Sequence, residues 1–157
     1  MSKLKKIQEK IISGEELIEK KIAGKVVFTN GCFDIIHRGH IEYLAKAADL
    51  GDHFVIGLNS DQSVRALKGP NRPVQTQESR ASILASLFFV DYVIIFEEDT
   101  PANLIRLLQP DVLVKGGDYK AEEIVGFDTV TSKGGKVEII DFVEGYSSTS
   151  ILRKIRK

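Results

Sequence analysis

Apolar positions along the chain change their period several times, and each change marks an element. Leu4, Ile7 and Ile11 recur at helical spacing. The following SGEELIEKK places Ser13 and Glu16 at the separation of a capping box, which predicts a second short helix. After Gly24 the pattern becomes a β-branched and aromatic run, KVVFTN, read as a buried strand ending at Asn30-Gly31. GHIEYLAKAADLGD returns to helical spacing, with Ile41, Leu44, Ala45 and Ala48 on one face and Gly51 as its stop. HFVIGLN is a second strand, and SDQSVRALKG a short helix capped by Ser60 or Asp61. GPNRPVQ is a loop, and TQESRASILASLFF a helix with Ile83, Leu84 and Leu87 inward. YVIIF is the third strand. Thr100-Pro101 supplies a cap and first-turn proline for ANLIRLLQ, which Pro110 ends. DVLVKGGD and KVEIIDF are the remaining strands, and SSTSILRKIRK a final helix capped by Ser147 or Ser148.

Strands that alternate with helices predict βαβ units, and near-continuous apolar strands predict burial on both faces. The expected class is therefore α/β: a Rossmann-like, doubly wound, five-stranded parallel sheet with helices on both faces. Residues 1–24 are expected to form a helical segment packing on the domain or on a partner, and 25–157 the domain itself. Ligands of such sheets sit beyond the carboxyl ends of the strands. TNGCFDIIHRGH, KGGDYK and EGYSSTS all lie just past strand ends, so all three should face one crevice.

Composition narrows the partners. The 157 residues carry 22 basic and 22 acidic side chains, so no global field recruits nucleic acid or an anionic membrane. Basic runs at the two ends read as solvated helix faces. The single cysteine, Cys32, cannot form an internal disulfide, the N-terminus is charged rather than apolar, and no apolar run approaches the roughly 20 residues that cross a bilayer. A cytoplasmic location is expected.

The stretch FTNGCFDIIHRGH holds two of the three histidines and the cysteine. Cys32, His37 and His40 could ligate a metal, but no other His or Cys cluster supports such a site. Cys32 with His37 as base could form a nucleophile pair, although a small space-filling thiol serves equally well. A phosphate cradle explains more residues. A strand, a glycine turn and a helix opening at Gly39-His40 direct free N–H groups and a positive dipole end into the crevice, with His37 and His40 as further donors. Neither a P-loop nor a G-x-G-x-x-G turn is present.

NGCFDIIHRGH resembles the G-x-F-D-x-x-H-x-G-H signature of the HxGH nucleotidylyltransferase superfamily, the cytidylyltransferase-like proteins. EGYSSTS is similar to that superfamily's second, Ser/Thr-rich motif at a helix start. A narrower resemblance, to D-glycero-β-D-manno-heptose 1-phosphate adenylyltransferases, rests on LNSDQSVRALKG, NRPV, FFVDYVIIFEEDTPANLI, PDVLVKGGDYKAEEIVG and GGKVEIIDFVEGYSST, and so covers nearly the whole chain. In many bacteria that activity is one half of a bifunctional kinase/adenylyltransferase. The kinase half is not in this sequence, so a stand-alone version is expected. Glycerol-3-phosphate cytidylyltransferases usually differ at KGGDYK and tend to have Arg-Thr where this chain has Phe142-Val143. That reading, FMN adenylyltransferase and a non-catalytic nucleotide-binding regulatory module stand as alternatives.

The resemblance implies transfer of AMP from ATP to a sugar 1-phosphate, giving ADP-heptose and pyrophosphate for lipopolysaccharide core or related glycan synthesis. His37, His40 and Lys68 are the expected catalytic residues, with Lys68 carried by a loop able to close over bound nucleotide. Thr29, Asn30, Gly31, Cys32, Phe33, Asp34 and Gly39 are expected at the nucleotide beside the histidines. Lys115, Gly116 and Asp118 are expected on the adenine and ribose side, and Glu144, Gly145, Ser147, Ser148 and Thr149 at the triphosphate. Arg72 and Asp34 are candidates for the acceptor. Mg²⁺ is expected to arrive with ATP, held by phosphates and water, with no protein metal site. No nucleic acid or membrane partner is expected; a homodimer is.

Overall fold

The computed structural model describes residues 1–157. Its elements in chain order are α1 (Lys3–Gln8), α2 (Gly14–Glu19), β1 (Val26–Gly31), α3 (Arg38–Ala48), β2 (His53–Asn59), α4 (Asp61–Lys68), α5 (Gln77–Ser86), β3 (Tyr92–Phe96), α6 (Ala102–Leu108), β4 (Val112–Gly116), α7 (Phe127–Thr131), β5 (Lys136–Ile140) and α8 (Ser148–Ile155). The five strands are parallel, in the order β3-β2-β1-β4-β5. This is the Rossmann-like sheet that the alternation implies, with the order reversing between β1 and β4.

Side-chain alternation divides the core in two. Val27, Phe54, Ile56 and Leu58 point to one face, where α3 and α5 cover them with Tyr43, Leu44, Ala81 and Leu84. Phe28, Val55 and Leu113 point to the other, beneath Leu17 of α2, Leu104 and Ile105 of α6 and Val130 of α7. Each fully buried Leu, Ile or Phe contributes on the order of 1.5–3 kcal/mol, so neither layer is dispensable. Three aspartates close the opposite ends of the strands: Asp52 accepts from Lys25 N, Asp111 from Val26 N and Asp91 from Phe54 N, at 2.7–2.8 Å.

Several local expectations shift. The buried face of α3 is Gly39, Tyr43, Leu44 and Ala47, whereas Ile41, Ala45 and Ala48 are only partly buried. Tyr43 turns inward because its hydroxyl meets Thr29 Oγ1 at 2.6 Å, and burial pushes its pKa up to about 12. Ser60, not Asp61, caps α4, and Ser147, not Ser148, caps α8. Pro101 occupies the cap position of α6, and Thr100 Oγ1 accepts from Ala102 N. The α5 helix stops at Ser86 because Leu87 is extended, and Lys10 Nζ donates to the carbonyls of Leu87 and Val90 across that turn. The 3₁₀ turn Ala121–Glu123 and α7 lack a strong apolar period, and the sequence did not announce them.

The N-terminal segment lies along β3. Ile11 bridges Val93 in parallel, Ile12 N donates to Val93 O, and Val93 N donates to Lys10 O. No helix is long and apolar enough to cross a membrane.

Candidate active site

β1 ends in a backbone that ordinary residues avoid. Phe33 and Ile35 hold φ of 47° and 60°, and for a β-branched residue such as Ile35 that conformation is strained. Asp34, 2% exposed between them, keeps the turn in place. Its carboxylate accepts from Arg72 Nε at 2.9 Å, Val74 N at 2.7 Å and Gln75 N at 3.1 Å. Burial alone would raise its pKa, but those two amides and the Arg72 guanidinium together hold it below the ordinary carboxylate range. Arg72 is thereby committed to Asp34, with its Nη2 buried and unpartnered. The loop that follows Lys68 is consequently anchored at residues 72–75.

A buried arginine braces the same strand ends. Arg80, 0% exposed, donates through Nη1 to Cys32 O at 2.7 Å and Asn59 O at 2.8 Å, through Nε to Gln75 O, and through Nη2 to Asp61 Oδ1. It ties β1, β2, α4 and the loop together.

His37 and His40 cap each other. His37 N donates to His40 Nδ1 at 3.2 Å and His40 N to His37 Nδ1 at 3.4 Å, with the rings stacked 3.9 Å apart. Because both Nδ1 atoms accept, each neutral ring carries its proton on Nε2. Burial, with the His37 and Lys68 charges behind it, pushes the His40 pKa down to about 4, and burial lowers His37 as well. Two neutral N–H donors result. Gly39 is required between them, since a Cβ there would lie 2.9 Å from Tyr146 Cβ and 3.0 Å from the His37 ring.

The serine-rich segment divides its labour. Ser147 Oγ accepts from Ser150 N as the helix cap, and Ser148 Oγ donates to Asp34 O and Ile35 O at 2.8 and 3.2 Å, pinning α8 to the strained turn. Thr149 makes neither bond and faces the crevice.

The crevice is a trough of three cavities. One of about 330 Å³ is lined by His37, Gly39, His40, Lys68, Phe142, Tyr146 and Ser147 to Thr149. A middle one of about 230 Å³ adds Asn30 to Asp34, Lys115, Gly116 and Tyr119. A third of about 360 Å³ lies beyond Cys32 and Lys115, reaching Asn59, Asp99 and Glu123. Thr29 does not line the trough; fully buried, it donates to Val114 O beneath the floor. Asp118, Glu144 and Gly145 are exposed and line none of the three cavities. Arg72 also lies off the walls.

Sequence reasoning passed over Tyr43, Tyr119, Phe142 and Tyr146 as wall residues. Phe142 is 70% exposed and stands against Gly116 and Gly117, where an added Cβ would come within 2.7 Å of its ring. The available signal was their place in the chain, since Tyr119 follows the glycine pair in KGGDYK and Phe142 and Tyr146 flank the Glu144-Gly145 turn. Cys32 keeps its proton, since burial raises the thiol against the lowering influence of Lys68, Arg80 and Arg72. That disfavours the nucleophile pair. No cluster of three His, Cys, Asp or Glu is arranged to hold a metal.

A doubly wound sheet whose switch-point crevice presents paired neutral imidazoles, a lysine and a hydroxyl-bearing helix start can bind a polyanion and stabilise charge on it. The chain belongs to the cytidylyltransferase-like family, whose profile matches residues 28–154. It is 56% identical over 154 residues to the bifunctional protein HldE of Campylobacter concisus and 56% identical over 138 residues to that of Syntrophotalea carbinolica. The matches cover 98% and 88% of this chain but 31% and 28% of those proteins, so the chain spans under a third of the relatives' length. Among solved structures it is similar to the lipopolysaccharide core biosynthesis protein of Thermoplasma volcanium, at 27% identity and TM-score 0.63, over 80% of this chain and 100% of that one. Pantoate-β-alanine ligase of Francisella tularensis, at 18% identity and TM-score 0.57, covering 93% of this chain and 76% of its own, shares the fold alone.

Proposed function

We propose that this protein transfers AMP from MgATP to a sugar 1-phosphate, D-glycero-β-D-manno-heptose 1-phosphate, giving ADP-heptose and pyrophosphate. The observation that carries the reading is the mutually capped histidine pair facing a trough beside Lys68 and Thr149, in a chain this similar to the HldE proteins. The name of the Thermoplasma neighbour assigns that protein to lipopolysaccharide core biosynthesis, the use expected for an ADP-heptose.

An oxygen of the acceptor phosphate attacks the α-phosphorus of ATP. The new O–P bond forms as the bond to the β-phosphate oxygen breaks, and pyrophosphate leaves with that electron pair. No proton must be removed from the nucleophile, which suits a site whose histidines are neutral donors rather than bases. The Nε2–H groups of His37 and His40, the Lys68 ammonium and the Thr149 hydroxyl bind the triphosphate, with the strongest contacts as charge builds on the transferring and leaving oxygens. Magnesium enters as part of the nucleotide substrate, coordinated by phosphates and water. Asp34 and Arg80 hold these groups in place without touching substrate. Phe142 in place of an arginine favours a purine nucleotide over CTP by offering a flat apolar surface.

The test is pyrophosphate release, crossing ATP and CTP against heptose 1-phosphate, glycerol 3-phosphate and FMN. Turnover with ATP and heptose 1-phosphate alone is expected; turnover only with another pair overturns the substrate assignment. In the productive pair, His40→Ala should lower kcat by two to three decades, about 3–4 kcal/mol in the barrier, with a modest change in ATP affinity. Near-normal turnover of that variant refutes the proposed role.

A further inference from the structure

The two ends of the trough differ in charge. The cavity beside α8 has no carboxylate on its walls, and the only acid of the middle cavity, Asp34, is already saturated by Arg72 and two amides. The third cavity carries two acids, Asp99 and Glu123. Neither enters an ion pair, since the four salt bridges of the molecule are Arg38–Glu42, Arg72–Asp34, Arg80–Asp61 and Lys136–Glu138. Two free carboxylates repel a triphosphate and accept hydrogen bonds from neutral hydroxyls.

Lys115 stands at the boundary, lining both the middle and the third cavities but not the one beside α8. It has no carboxylate within ion-pair distance and no hydrogen-bond partner, while burial lowers its pKa. A partly desolvated ammonium without a counter-ion is unfavourable until an anion arrives. Exposed apolar side chains, Leu67 and Tyr119, converge on the same cavity and offer a surface to C–H groups.

We infer that the cavity of about 360 Å³ beyond Lys115 is the acceptor subsite, where Lys115 takes the phosphate of a sugar phosphate while Asp99 and Glu123 accept its hydroxyls. This assignment rests on the adenylyltransferase reading. It moves Lys115 from the nucleotide to the acceptor and makes two surface acids the determinants of acceptor specificity. It also explains the trough's order: nucleotide phosphates lie at the histidine end, acceptor body at the acidic end, and both phosphates meet in the middle cavity that His40 and Lys115 share.

The experiment is steady-state kinetics with ATP and heptose 1-phosphate on the wild type, on the double variant Asp99→Asn, Glu123→Gln, and on Lys115→Met. Calorimetry of heptose 1-phosphate into enzyme loaded with α,β-methylene-ATP runs alongside. Both acids are exposed and their substitutes isosteric, so melting should be unchanged. The double variant should raise the KM and Kd for heptose 1-phosphate about tenfold or more while the KM for ATP stays within about twofold, since two neutral amide oxygens accept hydroxyls more weakly than the carboxylates they replace. Lys115→Met should show the same split. If wild type turns over and the variants leave the acceptor KM unchanged, the subsite is wrong and the activity stands. A rise in the KM for ATP instead would put the nucleotide in this cavity and overturn the assignment. If wild type binds the ATP analogue but neither binds nor consumes heptose 1-phosphate, the proposed activity falls and this inference with it.

Discussion

At the scale of single residues, the histidine pair shows how neighbours fix a protonation state. Each ring accepts the other's backbone N–H through Nδ1, so protonating Nδ1 would break a hydrogen bond as well as place a charge in a half-buried site beside Lys68. In the unfolded chain the same rings take up protons near pH 6.5, whereas folded His40 does so only at about 4. Between those values the unfolded state binds more protons at this site, so the contribution of His40 to stability falls as pH drops from 6.5 toward 4 and is constant above. Ring carbon–proton NMR shifts followed from pH 8 to 4 should show both His37 and His40 titrating below the ordinary histidine range. A midpoint near 6.5 for either would contradict the capping arrangement. The motif itself was legible in the sequence, as were Cys32 and the serine cluster. What could not be read was that Asp34 and Arg72 satisfy each other, because their separation along the chain carries no periodic signal.

At the scale of elements, α8 is a short helix whose position matters more than its propensity. Ser147 caps it and Ser148 pins it to the carbonyls of Asp34 and Ile35, so its start is fixed relative to the histidines of α3. Ser147→Ala should cost about 1 kcal/mol in chemical denaturation and weaken ATP binding severalfold, while Ser148→Ala should leave the cap intact and still weaken ATP, because the helix start is freed from the turn. Equal nucleotide affinity in wild type and Ser148→Ala would show that the pin is not needed. Strong periodicity made the long helices and all five strands readable. The segment from Tyr119 to Gly135 folds into a 3₁₀ turn and α7 whose apolar anchors, Ile124 and Val130, are too few to announce a period.

At the scale of the whole molecule, a five-stranded parallel sheet has two edges, and one of them, β3, is lined by the N-terminal segment. Ile12 N donates to Val93 O at 3.1 Å, so Ile12→Pro removes that donor and leaves an acceptor on an edge strand. Unfolding free energy should fall by about 1–3 kcal/mol, with light scattering that rises with protein concentration; an unchanged denaturation midpoint would mean that the edge needs no cover. The sequence by itself determined the class of sheet, because alternation of apolar strands with amphipathic helices admits few other arrangements. It also marked the motifs that line the trough, because glycine, histidine and serine at strand ends have few competing uses. Only the tertiary structure decided which strand ends adjoin, and therefore that Lys115 faces Asp99 and Glu123 across a cavity while Thr29 lies under its floor and Asp118 outside it. The reason is physical. Periodicity records which face of an element is buried, a local property, whereas a binding site is made by strand order and by long-range pairing of single charges, which leave no repeat in the chain.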